Sequence, residues 1–284
     1  MAAEKIAVLV DSCSDVPPEL RLRHHMYLVP QLLIYPEGEF RDGVDITPGE
    51  VYSRMPAEIP STSLPGLTAV TDTIHQMRHD GYTRVVAVAI SSGLSGTCNL
   101  FSLVPPPMGM RIEVVDTLNI GIGSGFIALL AARLIEEGRG FDEVVRICRE
   151  HVRDSKLFIC FNTLDYLRRG GRIGRVAGML GSMLDIKPIV SCDERGVYYT
   201  AAKARGRKKQ LRTALKMAEE FAAGTPRYNL TVMHADAAEE AAEVLSRLTE
   251  KLPAPELVVT GEISPALVVH TGPGLIGIGV QRLP

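Results

Sequence analysis

Apolar residues occur along the chain in two kinds of run. KIAVLVD (5–11), RVVAVAI (84–90) and RIEVVD (111–116) are short, β-branched and nearly continuous, the pattern of strands buried on both faces. Between them, TAVTDTIHQMRHDG (68–81) and SGFIALLAARLIEEG (124–138) are compatible with helices, the second ending on a glycine suited to a C-terminal cap. Strand, turn and helix repeated in this way predict an α/β architecture with a parallel sheet covered on both faces. After a helix over 141–154 and the strand LFICFNT (157–163), the order changes. A short helix LDYLRR, a Gly-Gly break, a Met- and Leu-rich helix and a DERG turn between two strands predict a mixed or antiparallel sheet. A helix over 210–223, the strand YNLTVMHA, the amphipathic DAAEEAAEVLSRLTEKL and further strands follow. At 284 residues the chain exceeds what one core usually serves. Two domains are expected, 1–155 with the parallel sheet and 156–284 with the mixed one.

Charge adds little to this picture. Lys and Arg number 31 against 33 Asp and Glu, a net charge of −2, so no global field favours nucleic acid. Aromatic residues are 5% and Trp is absent, which leaves few platforms for stacking bases. The five cysteines are scattered without a C-x-x-C pair, so neither a disulfide framework nor a zinc site is indicated and no metal is expected. MAAEKIAVLVDS enters a strand pattern directly, and IGIGSGFIALLAARLI is too short and glycine-rich to span a bilayer. The expected setting is the cytoplasm, without membrane insertion.

In open parallel sheets, ligands sit beyond the carboxyl ends of the strands. VLVDSCSD and AISSGLSGT lie at such ends, and the second concentrates hydroxyls and bare backbone that can either cap a helix or receive an anion. GPGLIG (272–277) matches a dinucleotide fingerprint in form, but too few residues follow for the helix and acidic residue that fingerprint needs. No phosphate-binding P-loop occurs, and GLSGT and GIGSGF both miss the G-x-S-x-G of a serine hydrolase. KARGRKKQLR (203–212) holds six basic residues in ten, read as a solvated helix start or a protein-docking surface. Gly170-Gly171 ends a helix in a left-handed conformation, with Arg172 just beyond. His270 follows the apolar run ALVV and is placed at a strand end, either as a packing residue or as a donor to a carboxylate.

Taken together these motifs resemble the DegV family of bacterial fatty-acid-binding proteins, the acyl-carrying subunits of fatty acid kinase. The resemblance rests on IAVLVDSCSDVPPEL, IPSTSLPG, ISSGLSGT, LDYLRRGGRIGRVAGMLGSMLDIKPIV and HTGPGLIGIG, in that order over nearly the whole chain. It implies a DegV-like fold, no catalysis by this chain, no cofactor, and a bound long-chain fatty acid such as palmitate held between the domains. It further implies a kinase partner that converts the presented carboxylate to an acyl-phosphate for phospholipid metabolism. The family's carboxylate-binding hydroxyls fall on Thr62 or its neighbours Ser61 and Ser63, and on Ser92 or Ser95, with His270 closing the group. Met179, Leu180, Met183 and Leu184 are candidates to line the acyl chain, and Arg172, Arg205 and Lys208 to dock the partner. Leu64, Gly66 and Cys98 depart from the family's usual Gln, Ser and aromatic residue, which leaves the acyl preference open. The rival reading is a hydrolase or group transferase using Ser95 or Ser92 with His270. On the binding reading His270 begins near pH ~6.5 and gains a proton beside the ligand, so binding strengthens as pH falls from about 8 toward 6.

Overall fold

The computed structural model describes residues 4–179 and 185–284. Its strands in chain order are β1 (Ile6–Asp11), β2 (Tyr27–Val29), β3 (Leu32–Tyr35), β4 (Gly38–Arg41), β5 (Ser61–Ser63), β6 (Arg84–Ala89), β7 (Arg111–Asp116), β8 (Ser155–Cys160), β9 (Ile186–Cys192), β10 (Tyr198–Arg205), β11 (Tyr228–Ala235), β12 (Leu257–Glu262) and β13 (Leu275–Arg282). The helices are α1 (Pro18–Arg23), α2 (Pro48–Arg54), α3 (Leu67–His79), α4 (Thr97–Leu103), α5 (Ile122–Glu136), α6 (Phe141–Glu150), α7 (Asp165–Arg169), α8 (Arg207–Ala222), α9 (Ala238–Lys251) and α10 (Pro265–Thr271).

Three sheets result. A parallel sheet runs β2-β1-β6-β7, a mixed sheet runs β10-β9-β8-β13-β11-β12, and a small antiparallel sheet runs β4-β3-β5. The strand period of two decides what covers each face. Ala7, Leu9, Val85, Ala87 and Ala89 point to α3 and α4, where Val70, Ile74, Met77 and Phe101 receive them. Val8, Val10, Val86 and Val88 point the other way, to Phe126 and Ile127 of α5. The mixed sheet repeats the scheme. Leu157, Ile159 and Val190 join the core around α5, whereas Phe158, Ile189, Val232, Ile276 and Ile278 face α8 and α9. α5 therefore lies between the two large sheets and is apolar on every side up to Arg133 and Glu136 in its last turn, with Phe126, Ile127 and Ala128 fully enclosed. Its hydrophobicity reflects this central place, and no helix among the described residues is long and apolar enough to cross a membrane.

Several expectations shift by a few residues or change type. The helix expected at 210–223 begins at Arg207, and the sheet β4-β3-β5 occupies a segment in which the sequence pattern shows no strand alternation. ALVVHT is helical, not a strand, so His270 sits in the last turn of α10. Pro265 at the first helical position, where a missing N–H costs nothing, favours this outcome over the strand that its valines suggest. Of the Gly-Gly pair it is Gly171 that takes the left-handed conformation (φ 70°). Gly170 is helical and has another task, described below. Of the expected Met- and Leu-rich helix, Gly174–Met179 forms a 3-10 turn. Leu180, Met183 and Leu184 lie outside the described residues.

Candidate functional site

β5 pairs with β3 so that Thr62 stands opposite Leu33. Thr62 turns inward while Ser61 and Ser63 are exposed, as strand alternation requires. Thr62 Oγ1 lies 2.7 Å from His270 Nε2. The helix carrying His270 is fixed at its other end by two buried aspartates. Asp15 Oδ1 accepts from the Ser264 N–H and Asp42 Oδ1 from the Ala266 N–H, both at 2.9 Å. These bonds occupy N–H groups that the first turn of a helix would otherwise leave unpaired.

His270 is pressed into place by α7. A β-carbon on Gly170 would stand 2.0 Å from His270 Nδ1, so only glycine fits there. Nδ1 is buried and has no hydrogen-bond partner. A buried N–H without a partner costs more than a lone pair, which favours the tautomer with hydrogen on Nε2. In that form the imidazole donates to Thr62 Oγ1, and the threonine hydroxyl hydrogen is left to point elsewhere. Burial, reinforced by the Arg172 guanidinium, pulls the imidazole pKa down to about 4. The ring is thus neutral at physiological pH, and the expected starting value near 6.5 is corrected downward.

A second hydroxyl is arranged in the same way. Gln31 Nε2 donates to Thr97 Oγ1 at 2.8 Å, and Thr97 Oγ1 lies 2.9 Å from Ser95 Oγ. Ser95 Oγ also accepts from the Thr97 N–H at 3.3 Å, and between the two hydroxyls either can donate. When Thr97 donates, Ser95 keeps its own hydrogen for another acceptor. Thr62 and Ser95 both line one cavity of about 350 Å³, together with Ser63, Leu64, Cys13, Gln31, Arg172 and His270. The cavity thus carries the hydroxyls of Thr62, Ser63, Ser95 and Tyr198 and one cation, Arg172, with no carboxylate among the described residues of its lining. Such a donor set suits an anion.

Beneath this cradle lies a narrow apolar slot of about 40 Å³. Ile120 and Tyr198 border both spaces, and Leu157, Ile159, Met233, Leu267 and Leu275 complete the apolar walls. An alkyl chain would need more room than this, which flexible lining side chains such as Met233 could give by changing rotamer.

The structure separates the sequence candidates. Thr62, Ser63, Ser95, His270 and Arg172 come together; Ser61 and Ser92 are exposed and line no part of the cavity. Met179 is buried but borders neither space. Arg172, expected on a docking surface, stands at the cavity. Arg205 and Lys208 are exposed away from it, and Arg207 between them is structural, binding Glu240 Oε2 at 2.6 Å and the Gly274 carbonyl at 2.7 Å. Gln31, Cys13 and Tyr198 were not anticipated. Only Cys13 lay in a stretch already marked as a strand-end turn.

A strand-end cradle of hydroxyls on this arrangement of sheets can be compared with known proteins. The model of the DegV family, a family described as uncharacterised, matches residues 5–283. The chain belongs to the DegV family. A DegV domain-containing protein of Clostridium acetobutylicum is 37% identical over 280 residues, covering 98% of this chain and 99% of its own. A second DegV protein of that organism is 35% identical over 276 residues, covering 97% and 98%. Among solved DegV structures, a fatty-acid-binding protein of Thermus thermophilus superposes with a TM-score of 0.92 at 29% identity, covering 98% of this chain and 100% of its own. A stearic-acid-binding protein of Eubacterium ventriosum does so with 0.86 at 28%, covering 97% of each. The DegV fold, with its parallel and mixed sheets, is thereby established for this chain.

Proposed function

We propose that this chain binds one long-chain fatty acid, with the carboxylate at Thr62 and Ser95 and the alkyl chain in the apolar slot. The observation that carries the reading is the pairing of the two hydroxyls. Each lines the cavity while held within hydrogen-bond distance of a protein partner, His270 or Thr97, so with those partners donating each hydrogen is free for a ligand. A charged acceptor is worth roughly 1.5–3 kcal/mol per hydrogen bond. The chain contributes more. At about 0.8 kcal/mol per buried methylene, sixteen carbons offer on the order of 10 kcal/mol before ordering costs. Binding by the Thermus thermophilus and Eubacterium ventriosum relatives supports the same class of ligand.

On this reading the chain presents the carboxylate to a separate kinase and does no chemistry itself. Arg172 at the mouth is placed to guide an anionic transfer, while Arg205 and Lys208 offer exposed charge for docking, which acts mainly on association rate. The hydrolase reading finds little support. His270 contacts Thr62 and not a serine, a pKa of about 4 makes it a weak base at neutral pH, and Nδ1 lacks the acidic partner that orients a catalytic histidine. Extraction of the purified protein with organic solvent, followed by mass spectrometry, should yield long-chain fatty acid in near-equimolar amount. A clean extract, no uptake of added palmitate and measurable ester turnover would favour the hydrolase.

A further inference from the structure

The slot ends on a polar group for which a plain alkyl chain has no use. Asp15 is 9% exposed and held in a left-handed turn (φ 50°), with Oδ1 committed to the Ser264 N–H. Its Oδ2 has no partner. That oxygen faces Gly121, where a β-carbon would stand 3.1 Å from it and 3.8 Å from both Leu157 and Leu267. Asp15, Gly121, Leu157 and Leu267 all line the slot. Burial pushes the Asp15 carboxyl well above the usual carboxylate range. Asp15, Met233 and Ile263 also border a roomier cavity of about 330 Å³ that reaches Ser12, Asp42 and Ser264. The apolar passage thus opens at Asp15 into polar surroundings.

α10 supplies a ruler. His270 marks the carboxylate cradle, Leu267 and Thr271 line the slot, and Ser264, the residue before the helix, marks Asp15. Six residues of helix rise about 9 Å, which an extended alkyl chain covers in about seven carbon–carbon bonds.

Resting on the fatty-acid reading above, we propose that this site is matched to an acyl chain bearing a hydroxyl group about eight to ten carbons from the carboxylate, which pairs with Asp15 Oδ2. A saturated chain leaves that buried group facing methylenes, whereas a hydroxyl at this depth satisfies it and is satisfied in turn. A hydroxyl beside the carboxylate falls short of Asp15 Oδ2, and one at the chain end lies past it.

The test is competition on the unaltered protein. A fluorescent fatty acid is displaced by octadecanoic acid and by its 2-, 10- and 18-hydroxy derivatives. The 10-hydroxy acid should bind about fivefold tighter than octadecanoic acid, the ratio given by a net hydrogen bond of roughly 1 kcal/mol, and the other two isomers more weakly. Asp15→Gly, which tolerates the left-handed turn, should abolish this preference. Octadecanoic acid binding tighter than every hydroxy isomer, or a preference that survives Asp15→Gly, overturns the proposal. Should the variant not fold, the positional series on the unaltered chain decides. Failure of the fluorescent acid to bind at all would instead refute the fatty-acid reading and this proposal with it.

Discussion

The carboxylate cradle and the slot beneath it are neighbours built on opposite terms. In the cradle a few polar atoms are held one by one: Thr62 by His270, Ser95 by Thr97, Thr97 by Gln31. In the slot, Asp15 apart, no single atom matters, and Ile159, Met233, Leu267 and Leu275 contribute only area and shape. On the proposed reading the cradle fixes where an acid sits while supplying a minor share of the energy, and the slot supplies the larger share while leaving orientation to the cradle. Damage to each should read differently. Loss of cradle hydroxyls weakens all chain lengths alike, whereas loss of slot volume weakens long chains selectively.

The largest effect is expected from Thr62→Ala combined with Ser95→Ala. Removing both donors from one carboxylate should weaken palmitate binding by a hundredfold or more at about 1.5–3 kcal/mol each, while the His270 N–H that loses its acceptor lowers the melting temperature without unfolding the chain. Calorimetry with palmitate and octanoate should show equal proportional losses; a loss confined to palmitate would move the carboxylate elsewhere.

Gly277 offers the converse. It lines the slot from β13, and a β-carbon there would meet nothing nearer than the Met233 carbonyl at 3.9 Å, so the backbone accepts a side chain. Gly277→Leu should displace about two methylenes and lower palmitate affinity about tenfold, while octanoate is little affected. Equal binding of both acids by wild type and variant would show that the chain runs another way.

A smaller effect concerns pH. With the His270 pKa at about 4, the ring is neutral in the free protein above pH 5, and a bound carboxylate raises that value from a low start. Proton-linked gain in affinity therefore falls at acidic pH, and palmitate affinity should vary less than twofold between pH 8 and 6. The same shift sets stability. The unfolded chain takes up the proton near pH ~6.5 and the folded chain does not, so His270 destabilises the fold as pH falls from about 6.5 toward 4. An imidazole titrating near 6.5 by NMR would contradict the buried neutral ring.

The smallest effect on binding belongs to Arg205→Glu with Lys208→Glu. Both residues are exposed and outside the cavity, so palmitate affinity should not change, while acyl-phosphate formation by a partner kinase should slow, most at low salt. Weakened palmitate binding would place this surface in the lipid site.

The contrast between cradle and slot also explains what could be read from the chain. Hydroxyls gathered in IPSTSLPG and ISSGLSGT are unusual for strand ends, so Thr62 and Ser95 stand out; choosing them over Ser61 and Ser92 needs the direction each side chain takes, which follows from pairing with β3 and the turn before α4. The slot residues carry no such mark. Leu157, Met233 and Leu267 look like any core position, and their convergence depends on how β8, β11 and α10 meet around α5. β1 and β6 were legible because their runs are continuously apolar, and β7 because only Glu113 interrupts its run, whereas β3 to β5 are short and β4 and β5 are largely polar. His270 was recognised as a site candidate but misplaced on a strand, since four apolar residues carry no period that separates strand from helix.

The most direct test of the account is the carboxyl carbon itself. With palmitate labelled with 13C at the carboxyl carbon, NMR of the complex should show one resonance distinct from free acid, ionised down to at least pH 6. That resonance should shift on Thr62→Ala and on Ser95→Ala but hold its position on Gly277→Leu. A bound resonance that ignores both hydroxyl substitutions, or moves only with Gly277→Leu, would contradict the placement of the carboxylate at Thr62 and Ser95.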